Sequence, residues 1–192
     1  MAADTRDRMV QSAAALFRDR GYDGTGFRDV VEAAGTTPGV IYHHFPGGKT
    51  ELGVIVAQTA GGRLVELVQA MCAEQSPREA VVGLLDVIER HLIKGDLRPG
   101  CPIVAVSLAA DDEDGRLRAA GDGIFMRIRA AIVDCLQRDG VPMADAEHFA
   151  TLAVSASEGA VILCRAHRDT TPLRDVRSAL VDQVDRLPRT AR

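Results

Sequence analysis

The sequence predicts an all-helical (all-α) protein, a small three-helix N-terminal head on a larger helical body. Three observations carry that prediction. Apolar residues recur at helical spacing along almost the whole chain, no segment shows sustained strand alternation bounded by hairpin turns, and the apolar runs are short up to residue 45 and long after Lys49. With 192 residues, 46% of them hydrophobic, the chain can bury a real core.

Taken in order, Met9, Val10, Ala13, Ala14, Leu16 and Phe17 form one apolar stripe over about residues 5–20, and Gly21 stands where a helix-ending glycine is expected. Phe27, Val30, Val31 and Ala34 make a second, short stripe after Thr25-Gly26, ended by Gly35. Val40, Ile41 and Phe45 make a third after Thr36-Thr37, ended by Pro46-Gly47-Gly48. Breaks at Gln75-Ser76-Pro77, 95–102, 111–115, 139–142 and 169–172 then divide the body into helices near 49–74, 78–94, 102–110, 115–138, 143–168 and 173–187. The expected domains are residues 1–48, the head, and 49–192, the body.

Charge and cysteine usage narrow the function classes. The formal net charge is −4, yet residues 1–50 carry Arg6, Arg8, Arg18, Arg20, Arg28 and Lys49 against Asp4, Asp7, Asp19, Asp23, Asp29 and Glu32, so the head is neutral and the body acidic. Cys72, Cys101, Cys135 and Cys164 lie far apart with no CxxC pair and no histidine at metal-ligand spacing, so no zinc site or redox dithiol motif is indicated. The N-terminus lacks an apolar signal core and no stretch approaches the ~18 uninterrupted apolar residues of a membrane span. A cytoplasmic protein with no membrane partner, no cofactor and reduced thiols is the expectation.

The segment "GTTPGVIYHHFPGGK" carries the function. Two short helices joined by a glycine-containing turn are the signature of a helix-turn-helix. Thr37 suits the N-cap of the second, Pro38 its first position, and Gly39 removes a side chain at the next, leaving a slim tip that can approach a phosphate or base edge. Val40, Ile41 and Phe45 would pack inward, turning Tyr42 and His43 outward, where a phenol and an imidazole can donate to phosphate oxygens. Lys49 with the N-terminus of the next helix offers a further anion site. Thr25 is placed to cap the second helix and reach a phosphate, and Arg28 to enter a groove.

The stretch "ALFRDRGYDGTGFRDVVEAAGTTPGVIYHHFPGGKTEL" resembles the DNA-binding head of TetR-family transcriptional regulators over residues ~7–52. The resemblance rests on the glycine-aromatic pair after helix one, the threonine before helix two, the Ala-Ala-Gly turn and the Tyr-His-His-Phe block closing on a lysine. It implies a ligand-responsive repressor, a homodimer placing two heads in successive major grooves of a double-stranded DNA operator. It also implies a body that binds a small molecule and thereby lowers DNA affinity. It carries over as DNA-facing positions Thr25, Arg28, Thr36, Thr37, Pro38, Gly39, Tyr42, His43 and Lys49. Two departures stand out: Gly26 occupies a position where serine or threonine is common, and FPGGK replaces the more usual Phe-x-x-Lys. The latter, with "RPGCPIVAVSLAADDEDGRLRAA", resembles the LmrA/YxaF-type branch, whose members imply a small hydrophobic effector, aromatic compounds included.

Other features carry two readings each. Neighbouring helical residues diverge by about 100°, so His43 and His44 cannot chelate one ion, and His44 reads as packing. Tyr42 can cover the apolar face instead of meeting DNA. Cys101, at a helix N-terminus, is either an activated thiol or a small core residue. Asp111 to Asp114 lack the ligand spacing of a calcium loop and read as a solvated, helix-capping turn. Phe125, Met126, Ile128 and Ile132 are core or cavity lining; Cys101, Ile103, Phe125, Ile128 and Phe149 are the candidates for an effector pocket. The small side chains of "FATLAVSASEGAVILC" suit either internal packing or a symmetric four-helix contact through the last two helices, the expected dimer. An enzyme in the body would need convergent acid, base or nucleophile groups, and none are arranged so; a helical adaptor that does not bind DNA would leave the slim tip without a use.

Overall fold

The computed structural model describes residues 2–110 and 112–190, which form nine α-helices and no strand. They are α1 (Ala2–Arg20), α2 (Phe27–Ala33), α3 (Pro38–His44), α4 (Gly48–Glu74), α5 (Pro77–Lys94), α6 (Pro102–Ser107), α7 (Arg116–Arg138), α8 (Met143–His167) and α9 (Thr171–Arg186). Packing groups them differently from a division at residue 48. One compact unit comprises Met1–Arg63 and Gly100–Ile124, the other Leu64–Pro99 and Phe125–Arg192, so α4 and α7 each contribute to both.

In the first unit α1 packs on α2, α3 and α6. Its core is the set the helical spacing picks out, Met9, Val10, Ala13 and Phe17 from α1, Val30, Val31 and Ala34 around α2, Ile41 and Phe45 from α3, joined by Leu52 and Val56 of α4, Val106 of α6 and Leu117 of α7. Phe17, Ile41 and Phe45 are at most 1% exposed. Each such side chain contributes about 1.5–3 kcal/mol of burial, so the seven-residue α2 and α3, which would not persist in water alone, are held with α1 by a shared core. Gly53 of α4 sits where an added Cβ would meet Leu117 at 2.7 Å and Tyr22 at 2.8 Å. The absent side chain is what lets these elements close up.

The second unit is built on α9, which packs against both α8 and α5. Leu173, Leu180 and Val184 of α9 meet Phe149, Ala153, Ala160 and Cys164 of α8 and Leu85 and Leu92 of α5 in one core cluster. Serine and glutamate cap α5 reciprocally: Ser76 N–H donates to Glu79 Oε2 at 2.9 Å and Glu79 N–H to Ser76 Oγ at 3.3 Å. By length and composition α8 is apolar enough to cross a membrane.

One expected boundary moves by three residues. The helix expected over 102–110 ends at Ser107, because the Ala110 N–H is taken by Asp23 Oδ2 at 3.1 Å and the chain turns away with Leu108 exposed. Of the acidic turn, Asp111 lies outside the described residues. Asp112 accepts from the Leu117 and Arg118 N–H groups at 2.9 and 2.8 Å, which satisfies donors at the start of α7.

An ion-pair cluster ties α5 to α9. Glu89, its side chain 13% exposed, accepts from Arg174 at 2.6 Å and lies 3.7 Å from Arg177, which also pairs with Asp86. Burial pushes the Glu89 carboxyl up, but hydrogen bonds from Arg174 and Thr170 and the charges of Arg174 and Arg177 outweigh it and hold the group below its ordinary value of 4.5. A carboxyl lowered in the folded state adds stability that is complete above its unfolded value and fades as pH falls through the folded one. Glu89→Gln is therefore expected to cost about 1–2 kcal/mol at neutral pH, a difference that shrinks as pH falls below the ordinary carboxyl value of 4.5, measured by urea melts across pH.

Candidate nucleic-acid interface

The turn between α2 and α3 is set by backbone hydrogen bonds. Gly35, at φ +61°, is the left-handed residue after α2; its N–H donates to Glu32 O and the Thr36 N–H to Val31 O, both at 3.1 Å. This paired closure satisfies the last carbonyls of α2 and aims the chain into α3. Thr37 occupies the N-cap in extended conformation and Pro38 the first helical position, as the sequence leads one to expect, although the Thr37 hydroxyl makes no capping bond. An added Cβ at Gly35 meets nothing within 4 Å. Gly35→Ala is thus expected to cost about 1–2 kcal/mol through backbone strain alone, read as a lower melting temperature with unchanged helical content.

The tip that results is exposed: Thr37, Pro38 and Gly39 lie open and Thr36 is half-buried. Nothing stands within 4 Å of a Cβ added at Gly39. Ile41 and Phe45 turn inward, Val40 is half-buried, and Tyr42 and His43 face out, Tyr42 at 61% exposure. The phenol is held in place, since the Tyr42 ring meets Phe27 of α2 edge-on at 5.5 Å. His44 is half-buried between the His43 and Phe45 rings, at 5.4 and 6.4 Å, a packing position. Arg28 on α2 is exposed.

Two residues do not sit as the sequence suggested. Thr25 does not cap α2, because Gly26 is the N-cap and its N–H is accepted by Asp29 Oδ2 at 2.7 Å. Thr25 is 1% exposed and its hydroxyl donates to Gly21 O at 2.9 Å, so it locks the turn after α1. Lys49 is half-buried, with Nζ 4.2 Å from the centre of the Tyr22 ring, and the Gly47 N–H ahead of α4 is already accepted by Glu51 Oε2 at 2.7 Å. The anion site at this end of α4 is thus partly filled by the chain's own carboxylate, and Tyr22 fixes where the ammonium is presented.

Several supports were missed from sequence. The helical spacing marks Phe27 only as core, yet it also props Tyr42; Tyr22, the aromatic of the glycine-aromatic pair after α1, carries no local sign of its partner Lys49. Arg6 lies 5.5 Å from the Phe45 ring and Arg8 Nε donates to Ala34 O at 3.4 Å, so α1 braces the turn and the far end of the helix-turn-helix. A cation spaced for an aromatic partner is the only sequence signal these pairs offer, and spacing across different helices hides it.

Of the effector candidates, Cys101 and Ile103 fall in the first unit and Phe125, Ile128 and Phe149 in the second. Ile103, Ile128 and Phe149 are buried, and Cys101 and Phe125 half-buried.

A slim, open helix tip flanked by outward phenol, imidazole and guanidinium groups on a braced helix-turn-helix is the arrangement that docks in a DNA groove. Residues 10–53 match the bacterial regulatory proteins of the tetR family, and residues 77–179 match the C-terminal domain of LmrA/YxaF-like transcriptional regulators. The chain belongs to the TetR family. An HTH-type transcriptional regulator of Mycobacterium tuberculosis is 39% identical over 189 residues, covering 93% of this chain and 95% of its own. A TetR transcriptional regulator of Chloroflexus aurantiacus has a crystal structure with TM-score 0.79 and 29% identity, covering 99% of this chain and 98% of its own. The fold is also that of a CifR cysteine mutant complexed with a 26-base-pair operator DNA, at TM-score 0.74 and 21% identity, covering 95% and 96%. The resemblance read from the head and from the LmrA/YxaF-type features of the body is thereby established: this is a DNA-binding transcriptional regulator of the TetR family, and the family and its members here are regulators rather than enzymes.

Proposed function

We propose that the chain is a ligand-responsive repressor of the bacterial cytoplasm, a homodimer released from its operator by a small hydrophobic effector. The exposed Thr37-Pro38-Gly39 tip beside Tyr42 is the observation that carries the reading. In this division of labour residues 1–48 read DNA and 49–192 bind effector and partner. Thr36, Thr37, Pro38 and Gly39 approach the bases, Arg28 enters the groove, and Tyr42, His43 and Lys49 hold phosphates. Thr25, spent on Gly21, shapes the turn and touches no phosphate.

The dimer reading rests on α8. Leu152, Ala156, Gly159 and Leu163 recur at helical spacing, with Ile162 beside them, and Leu152, Ile162 and Leu163 are 47%, 60% and 48% exposed. A Cβ at Gly159 would meet nothing within 4 Å. Such a stripe, apolar at its ends and small in its middle, fits close approach of a second α8. It fits lipid less well, because Ser155, Ser157 and Glu158 interrupt it. The apolar side of α9 is turned into its own unit, so α9 supplies the polar rim.

For the effector, the support is the LmrA/YxaF-like body and α7, where Phe125 and Ile128 precede Arg129. Arg129 Nε is buried and, among the described residues, has no hydrogen-bond partner. An apolar compound bearing one hydrogen-bond acceptor would meet both. Effector binding acts through α4, a continuous helix from Gly48 beside the head to Glu74. Half-sites ~34–36 Å apart tolerate little change in head spacing.

Fluorescence anisotropy with the duplex flanking its own gene, in a salt series against a scrambled duplex, tests the reading. Tight, sequence-selective and salt-dependent binding, lost on adding an apolar aromatic acid, is the expected result. A genome-wide selection that enriches no fragment would refute it. In the same assay Lys49→Ala is expected to weaken all duplexes alike and reduce the salt slope by about one. Thr37→Ala is expected instead to change the preference between sequences.

A further inference from the structure

The described structure brings two of the four cysteines together. Cys72 lies in the last turn of α4 and Cys135 in the last turn of α7, both within the second unit and at 5% and 4% exposure. The Cys135 thiol donates to the Cys72 carbonyl oxygen at 3.8 Å, which sets the two cysteines side by side. Arg138 closes the group: its guanidinium donates to the same Cys72 carbonyl at 2.6 Å. Cys164 stands elsewhere, within the core of α8, α9 and α5, and Cys101 belongs to the other unit. This proximity has no trace in the sequence, where the pair is 63 residues apart.

We propose that Cys72 and Cys135 are a modification site, a dithiol that hydroperoxides convert reversibly into an intramolecular disulfide. The surroundings divide the roles. The neighbouring Cys72 thiol lowers the Cys135 thiol, opposed by burial and Asp139 and aided by the Arg138 charge. The Cys135 neighbour, with burial, raises Cys72, which Arg138 opposes and Asp134 reinforces. Cys135 is therefore the attacking sulfur and Cys72 the resolving one. After Cys135 gives its proton to solvent, its thiolate attacks one peroxide oxygen. The O–O bond breaks, the departing oxygen leaves as alcohol or water after taking up a proton, and Cys135 becomes a sulfenic acid. Cys72 sulfur then attacks Cys135 sulfur, the S–O bond breaks, and hydroxide leaves with the Cys72 proton as water. The two thiols lose two electrons and the peroxide gains them.

The disulfide would join the C-terminal turns of two helices that the sequence keeps far apart, in a protein whose cysteines are all free in this structure. Whether or not the chain binds DNA, the chemistry stands on this pair alone.

The test uses full-length protein exposed to hydrogen peroxide, quenched, alkylated in denaturant, digested with trypsin without reduction and analysed by mass spectrometry. The expected product joins peptides 64–78 and 130–138, two hydrogens lighter than their sum, with Cys101 and Cys164 alkylated and the link removed by dithiothreitol. Mixing isotopically light and heavy protein should give no mixed-label product. Cys135→Ser, checked for folding by circular dichroism, should abolish the link, whereas Cys101→Ala with Cys164→Ala should retain it. Links through Cys101 or Cys164, mixed-label links, a Cys135 sulfinic acid beside free Cys72, or two free thiols at a peroxide dose that fully oxidises dithiothreitol would each overturn the proposal.

Discussion

Gly39→Leu is expected to weaken specific operator binding on the order of a hundredfold while leaving the protein at least as stable. Gly39 sits one residue inside α3, exposed, and a Cβ there meets nothing within 4 Å, so the fold does not require glycine for space. Its backbone is helical, so glycine is not required for conformation either. Leucine is a better helix former by up to about 0.8 kcal/mol, and thermal stability should stay level or rise. Against DNA the same side chain projects from the tip between Pro38 and Val40 and would hold the backbone off the base edges. Loss of even one or two base contacts at about 1–3 kcal/mol each puts the fall in specific affinity on the order of a hundredfold. Gly39→Ala should show the same split in smaller measure. A variant destabilised in urea and unimpaired in anisotropy would mean that the glycine serves folding.

The second large effect is expected from Ile162→Glu combined with Leu163→Glu. Both side chains are about half exposed or more on α8, so neither change removes a packed core group. In the dimer two glutamates from each copy would face one another across a low-dielectric contact, an arrangement that drives the copies apart. Sedimentation should show a monomer with unchanged helical content. Operator affinity should fall by about 100 to 10,000-fold, because each head then binds on its own and the gain from linking them is lost. A dimer that survives this pair of changes would move the interface off α8.

How far the sequence reaches is visible in particular residues. Gly35 marked the end of α2 because a left-handed residue there has few alternatives, and Pro38 marked the start of α3 because it lacks an N–H to waste; both are local rules. The inward set Ile41 and Phe45 and the outward pair Tyr42 and His43 follow from helical period alone. Thr25 departs from the expected cap because its hydroxyl can either accept from a helix N–H or donate to a nearby carbonyl, and in the folded chain it donates to Gly21 O. The early end of α6 depends on Asp23, 87 residues away, which no local pattern encodes. The same holds for Lys49 over Tyr22, Arg8 on Ala34 and Cys135 beside Cys72, contacts made only once separate helices pack. Charge gave least guidance: a neutral head on an acidic chain binds DNA, on this account, through a few aimed groups rather than through a basic surface.

The most direct measurement is dimethyl sulfate protection of guanine N7, an atom in the major groove, on the operator bound by wild type and by Gly39→Leu. Insertion of the α3 tip predicts two protected clusters about one helical turn apart, ~34–36 Å, lost in the variant. Specific binding that leaves every guanine N7 reactive would contradict it.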